Sequence, residues 1–316
     1  MSNSKNTKNA PNLSSDQPVT YHIPVLLAEV IDGLNIKPGG IYVDCTFGGG
    51  GHSRSILKKL SEHGKLIVFD QDESAKQNLP DDKRVVFVQQ NFRHLKRFLR
   101  VNKVTEVDGI LADLGVSSHQ FDEAERGFSI RFDAKLDMRM DNRQQKTAAE
   151  ILQNYSESQL HKLFEKYGEV SNSKTLARTI VEQRKITTIT KISQFKQAVH
   201  QVVKGNPNKY FAQVFQALRI EVNDEMGALK EMLQASLEVL KQGGRIAIIT
   251  FHSLEDRIVK NFFKQGSFEE EEENVFGTRP ATPFLILTKK PVTPGEKEIK
   301  ENSRSRSSKL RVAEKK

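Results

Sequence analysis

The run Asp44-Cys-Thr-Phe-Gly-Gly-Gly-Gly-His52 limits the possible folds more than any other stretch of the chain. An apolar strand signal, Ile41-Tyr-Val, precedes it, and a helix signal, Ser53-Arg-Ser-Ile-Leu-Lys-Lys-Leu60, follows. The next apolar run, Leu66-Ile-Val-Phe, ends on Asp70. Strand, glycine turn, helix, strand and terminal acid are the parts of a nucleoside-binding βαβ unit. Its glycines let the backbone approach a ligand, and its acid accepts hydrogen bonds from both ribose hydroxyls. Glycine clusters also serve ordinary tight turns, so the acid in register is a second, separate support.

The unit departs from the dinucleotide fingerprint, which needs a third glycine inside the helix for close helix–strand packing. Counting G-x-G-x-x-G from Gly48 reaches Ser53, and from Gly49 reaches Arg54. Asp44 on the leading strand would sit badly beside a pyrophosphate and well beside a cation. S-adenosylmethionine carries a ribose, an ammonium and a sulfonium but no phosphate, so these residues favour it over a nicotinamide cofactor. A nicotinamide-dependent oxidoreductase is the rival enzyme reading, and an RNA-binding platform without activity is the non-enzymatic one.

Organisation along the chain extends the unit. Residues 1–18 are polar, with Pro11 and Pro18, and read as a disordered tail. Val25–Ile31 reads as a short amphipathic helix closed by Gly33. Arg84–Gln90 and Asp108–Asp113 read as a third and fourth strand, the fourth again ending on an acid. Strands alternating with helices imply a parallel sheet covered on both faces. From about Arg126 to Ile220 the strand signals stop and helical runs take over, such as Gln159–Tyr167 and Lys174–Val181. The sheet resumes after a helix over Glu225–Leu240 and a turn at Gln242-Gly-Gly244, with a strand at Arg245–Phe251 and closing strands at Phe284–Thr288 and Leu310–Ala313. The expected division is therefore a sheet domain over 19–124 and 222–316, interrupted by a helical insert over 125–221. Ligands of open α/β sheets bind outside the carboxyl ends of the strands, so the insert is placed to roof the site. Glu269–Glu273 reads as a solvated loop.

Asp113 is the candidate catalytic residue, because an acid at the end of the fourth strand would face the reactive end of a cofactor held by Asp70. It would accept a hydrogen bond from a substrate amine and orient the nitrogen lone pair. In Thr250–Arg257, Ser253 with Asp256 reads as a capping box, with His252 just before it. Cys45, the sole cysteine, lies under the glycine turn as an inert thiol, which disfavours methylation of a pyrimidine ring carbon through a cysteine nucleophile. It also excludes an internal disulfide and fits a reducing cytoplasm. Neither zinc-type spacing, C-x-x-C or H-E-x-x-H, occurs, so no metal is expected.

The formal net charge of +9 suggests a polyanion partner. Lys289–Lys316, together with Arg178, Arg184, Lys185, Lys204, Lys209 and Arg219 of the insert, are the groups available for phosphates. No run of eighteen apolar residues is present, and the N-terminus lacks the apolar core of a secretory signal, so neither a membrane span nor secretion is expected.

The same residues resemble the bacterial ribosomal RNA small-subunit methyltransferase H family, also called the MraW family. The resemblance runs from about Tyr21 to Glu314. It rests on His22-Ile-Pro-Val-Leu-Leu27, Asp44–His52, Asp108–Ser118, Arg126-Gly-Phe-Ser129, Leu136-Asp-Met-Arg-Met140, Tyr167-Gly-Glu169, Phe215–Ile220, Phe251–Arg257 and Arg306–Arg311. It implies an α/β fold with a Rossmann-like class I methyltransferase sheet, mostly parallel, and a helical inserted substrate domain. It implies S-adenosylmethionine as cofactor, held at Gly50, Gly51, His52, Asp70, Phe92, Asp113 and Gln120, with Phe92 flanking the adenine. The implied reaction is methylation of the exocyclic N4 amine of a cytosine in the decoding region of 16S rRNA within the small ribosomal subunit. Other nucleic-acid amines, in tRNA or DNA, are the runner-up targets. The region from Glu269 to Pro283 follows the family poorly.

Overall fold

The computed structural model describes residues 24–268 and 282–316; the reading of residues 1–18 as a tail and of Glu269–Glu273 as a loop falls outside them. The first helix, α1, spans Leu27–Leu34. The expected stop at Gly33 comes later, because Asn35 in the left-handed conformation (φ 47°) ends the helix. There follow β1 (Ile41–Asp44), α2 (Gly51–Leu57), β2 (Lys65–Phe69), β3 (Val85–Val88), α3 (Leu95–Val101), β4 (Val107–Asp113) and α4 (Ser118–Asp122). The insert contributes α5 (Ala148–Asn154), α6 (Glu157–Gly168), α7 (Ser173–Gln183), α8 (Ile192–Val199) and α9 (Pro207–Asn223). The chain returns through α10 (Glu225–Val239), β5 (Leu240–Thr250), α11 (Ser253–Gln265), β6 (Phe284–Ile286), α12 (Glu296–Glu301) and β7 (Lys309–Lys315).

The strands form one sheet in the order β3-β2-β1-β4-β5-β7-β6. The pairs from β3 through β5 are parallel, and β7 runs antiparallel to both β5 and β6. Every residue of β4 before Asp113 is buried, as expected of a central parallel strand covered on both faces. Two apolar clusters cover the faces, one with Ile67, Leu99, Ile110 and Phe262, the other with Ile56, Leu66, Leu111 and Ile249. Strand order reverses between β1 and β4, so their carboxyl ends open a crevice at the switch point, where ligands of such sheets bind.

The insert has its own apolar centre, drawn from Phe128 through Val222. Helical spacing creates it: Leu160, Leu163 and Phe164 on α6 and Leu176, Ala177 and Ile180 on α7 are all buried. Thr147 with Glu150 and Ser156 with Gln159 form capping boxes that fix the starts of α5 and α6. Asn206 caps α9, with Pro207 inside its first turn, which gives the Lys204–Lys209 turn its structural cause.

Two local expectations are corrected. Gln242–Gly244 lies within β5 rather than before it, and the register between β4 and β5 shifts there. The capping box of α11 is His252 with Glu255, not Ser253 with Asp256. The chain stays extended one residue short of Ser253, and Asp256 instead holds Arg311 of β7, with Nε to Oδ1 at 2.6 Å.

Candidate active site

The glycine turn leaves β1 at the crevice. Gly50 has φ +71°, and a Cβ there would meet the Phe47 ring at 2.9 Å. At Gly51 a Cβ would lie 2.2 Å from Pro24 Cγ. Both positions therefore demand glycine, one for conformation and one for the approach of the N-terminal segment. Gly48 N donates to Asp70 Oδ2 at 2.8 Å, and Asp72 N donates to Asp70 Oδ1 at 2.9 Å. The acid at the end of β2 is thus fixed against the turn. Each carboxylate oxygen keeps a second lone pair, so the pair of acceptors that a ribose diol needs remains available. Burial pushes Asp70 up to about 6, against the pull of those backbone hydrogen bonds.

Asp113 ends β4 across the crevice. Its backbone N donates to Thr46 Oγ1 at 2.6 Å, which ties the end of β4 to the start of the turn. Its Oδ1 is buried and has no hydrogen-bond partner, while Oδ2 lies 3.8 Å from His52 Nδ1. His52 Nε2 sits 2.9 Å from the Val25 carbonyl. That oxygen can only accept, so Nε2 carries a proton and Nδ1 faces the acid. Burial pushes Asp113 up to about 6, eased by His52 and aggravated by Asp44 and Glu255.

Asp44 does not stand where its charge was expected to meet a ligand. Its side chain is buried beneath the turn, where Oδ1 accepts from Thr46 N at 3.0 Å and Oδ2 from Ser53 Oγ at 2.7 Å. It braces the turn, and its charge reaches the site only as a field that raises Asp70 and Asp113. Cys45 is buried, and burial, with Asp44 adding, pushes its thiol well above the ordinary value.

Gly50, Gly51 and His52 open α2, with Asp70 tied to the turn through Gly48 and Asp113 facing His52. Gln120 is buried at the start of α4 and both ends of its amide are held: Oε1 accepts from Ser117 N at 3.1 Å, and Nε2 donates to Asp72 Oδ2 at 2.8 Å. Phe92 lies in a 3₁₀ turn just past β3, capped by Asn91, and Asn91 Nδ2 donates to Gln71 Oε1 at 2.9 Å. Sequence reasoning missed Thr46, Gln71 and Asp72. The two that follow Asp70 directly, in Asp70-Gln-Asp72, carried the available signal.

The basic groups divide differently from expectation. Arg219 holds both oxygens of Glu225, at 2.7 and 2.9 Å. Arg184 donates to the Leu152 and Tyr155 carbonyls, Arg178 to Glu182, Lys315 to the Leu237 and Leu240 carbonyls, and Arg304 to Asp122. Arg184, Arg219 and Lys315 are engaged within the fold, whereas Arg178, though paired with Glu182, is exposed, as are Lys185, Lys204 and Lys209 on the insert.

A seven-stranded sheet of this order, with a glycine turn after β1 and an acid at the end of β2, defines a class I methyltransferase. The chemistry of these residues fits the cofactor of that class: the cradle excludes side chains at Gly50 and Gly51, Asp70 carries two oxygens that a ribose diol could donate to, and Asp113 Oδ1 is buried without a partner. Residues 19–316 match the MraW methylase family, and the chain belongs to that family; its cofactor is S-adenosylmethionine. The protein named Ribosomal RNA small subunit methyltransferase H from Bacteroides thetaiotaomicron is 54% identical, over 94% of this chain and 98% of its own. The protein of that name from Flavobacterium psychrophilum is 53% identical, over 92% of this chain and 100% of its own. Among solved structures, TrmN from Thermus thermophilus is similar at 14% identity and a TM-score of 0.42, over 92% of this chain and 48% of that one. Among the described residues, no helix is long and apolar enough to cross a membrane.

Proposed function

We propose that the chain methylates the exocyclic N4 amine of a cytosine in the decoding region of 16S rRNA, within the small ribosomal subunit. The observation that carries the amine target is the buried, unpartnered Oδ1 of Asp113 at the carboxyl end of β4. The names of the relatives support small-subunit rRNA as substrate, and the family motifs support the cytosine. When bound, S-adenosylmethionine would supply a methyl carbon whose bond to a positively charged sulfur breaks, its electron pair staying on sulfur, as the nitrogen–carbon bond forms. Gly50, Gly51 and Asp70 seat its nucleoside end, and His52 lines the way to Asp113. Asp113 accepts a hydrogen bond from the amine N–H, which aims the nitrogen lone pair into the crevice. As the nitrogen gains carbon it loses a proton, to Asp113 or to water beside it. Attack at a ring carbon would need a thiolate, and the raised, buried Cys45 speaks against one. The insert over 125–221 acts as the substrate domain and receives the flipped base, whose unstacking costs roughly a few kcal/mol.

The test uses small subunits from cells lacking the gene, incubated with the protein and labelled S-adenosylmethionine, followed by mass spectrometry of the digested nucleosides. N4-methylcytidine in 16S rRNA is expected. Label on a cytosine ring carbon, on another base, or only in tRNA overturns the reading.

A further inference from the structure

Asp72 and Arg126 form a joint that the reaction described so far does not use. Asp72 follows the ribose acid by two residues, and its backbone N donates to Asp70 Oδ1. Its Oδ1 caps the following turn, accepting from Ser74 N and Oγ. Its Oδ2 takes Gln120 Nε2 at 2.8 Å and Arg126 Nη1 at 2.8 Å. Arg126 reaches the other way with Nη2, donating to the Arg139 carbonyl at 2.9 Å and the Met140 carbonyl at 3.3 Å. Met140 N in turn donates to Asn223 Oδ1 at 2.8 Å, at the end of α9. A second strut runs alongside, with Gln71 Nε2 donating to Met140 Sδ at 3.2 Å.

The ion pair is sheltered: the Arg126 and Asp72 side chains are 13% and 7% exposed. Burial alone would raise the Asp72 carboxyl. Hydrogen bonds from Gln120 and Ser74 and the Arg126 charge outweigh it, so the group sits below its ordinary value and is ionised at neutral pH. The guanidinium gives its two terminal nitrogens to the two sides of the joint, while its Nε stays buried without a hydrogen bond. Only a planar fork can serve both sides at once. An unbroken chain of polar contacts therefore runs from the ribose acid, through Asp72 and Arg126, to the Leu136–Met140 segment and α9 of the insert.

We propose that Arg126 is a positioning residue that couples occupancy of the cofactor seat to the placement of the insert over the crevice. A cofactor that orders Asp70 orders Asp72 by the backbone hydrogen bond between them, and Arg126 passes that order to the insert. The inference rests on the reading of the insert as the RNA-binding part. Coupling of this kind is reciprocal: the factor by which cofactor tightens RNA binding equals the factor by which RNA tightens cofactor binding.

The experiment measures binding of the unmethylated 16S rRNA substrate with and without saturating S-adenosylhomocysteine, which has no methyl to transfer, for the wild type, Arg126→Gln and Arg126→Lys. The wild type is expected to bind RNA at least about fivefold more tightly with the cofactor product bound, within the usual range of such couplings. Both variants are expected to lose most of that factor while each ligand alone binds within about threefold of wild type. Arg126→Lys retains the charge beside Asp72 and so remains folded, but one ammonium cannot span both sides. A staple with a purely structural role would lower the melting temperature and leave the factor intact, and that outcome overturns the proposal, as does a wild type with no coupling. Failure of the functional reading is distinguishable, because the wild type would then transfer no methyl to this RNA.

Discussion

Replacing Asp113 by Asn tests the electrostatics of the crevice through stability alone. The carboxyl is pushed to about 6 from an ordinary 3.8, so the folded state holds its proton more tightly than the unfolded chain does. For an acid raised in this way the folded state binds more protons between pH 4 and pH 6, and stability falls as pH rises through that window. The gap between about 6 and 3.8, at about 1.4 kcal/mol per pH unit, sets a ceiling of about 3 kcal/mol on the cost of ionising Asp113 at pH 7.5. The side chain is 25% exposed, so we expect about 2 kcal/mol after allowance for partial solvation. Asn matches the carboxylate in size and cannot ionise. The variant's advantage over the wild type is therefore expected to be about a third of its full size near pH 4.5 and to reach about 2 kcal/mol at pH 7.5. Urea midpoints for both proteins at pH 4.5, 6 and 7.5 measure this directly, while methyl transfer at pH 7.5 falls sharply because a neutral amide replaces the charged acceptor that can also take the amine proton. A stability difference that is the same at all three pH values refutes the reasoning.

Three other outcomes are expected. Gly51→Ala places a methyl 2.2 Å from Pro24 Cγ. It should destabilise the fold by about 1–3 kcal/mol and weaken cofactor binding, since displacing Pro24 moves the carbonyl that holds His52; thermal melting and calorimetric titration read both. Ribose hydroxyls donating to Asp70 favour its ionised form, so cofactor binding near pH 6 should release protons and affinity should rise with pH through about 6. Calorimetry in buffers of differing ionisation enthalpy counts the protons, and Asp70→Asn should lower both the count and the affinity, the latter about 10- to 100-fold. Cys45→Ala should retain methyl transfer within about threefold, and a complete loss with the fold intact would point to a covalent thiol step.

The sheet was readable because strands buried on both faces are written as short apolar runs, and an acid marks the boundary, ending β1 and β4 and directly following β2. The insert was readable as helices because Leu160, Leu163 and Phe164 repeat at helical spacing. What a linear reading could not supply was direction and partnership. The sequence places Asp44 in the turn but not beneath it, where Ser53 draws the carboxyl inward. Asp72 and Arg126 meet across 54 positions, and nothing local marks either as the other's partner. The capping box of α11 was misplaced by one residue because the geometry of the chain leaving β5 decides which side chain reaches the free N–H groups. Cations such as Arg219 and Arg304 looked available for phosphates until the fold brought Glu225 and Asp122 to them.

The position of the insert also bears on how the molecule reaches its native state. β4 and β5 are neighbours in the sheet, yet the chain leaves one at Asp113 and enters the other at Leu240. Joining them as a flexible loop of that length would cost about 4 kcal/mol in closure entropy alone. An insert that collapses first around its own centre replaces that wandering loop with a compact body whose two ends already lie close. Truncating a side chain buried in those helices, such as Leu176, is then expected to slow renaturation of the whole molecule in stopped-flow refolding, and an unchanged refolding rate would show that the insert does not lead.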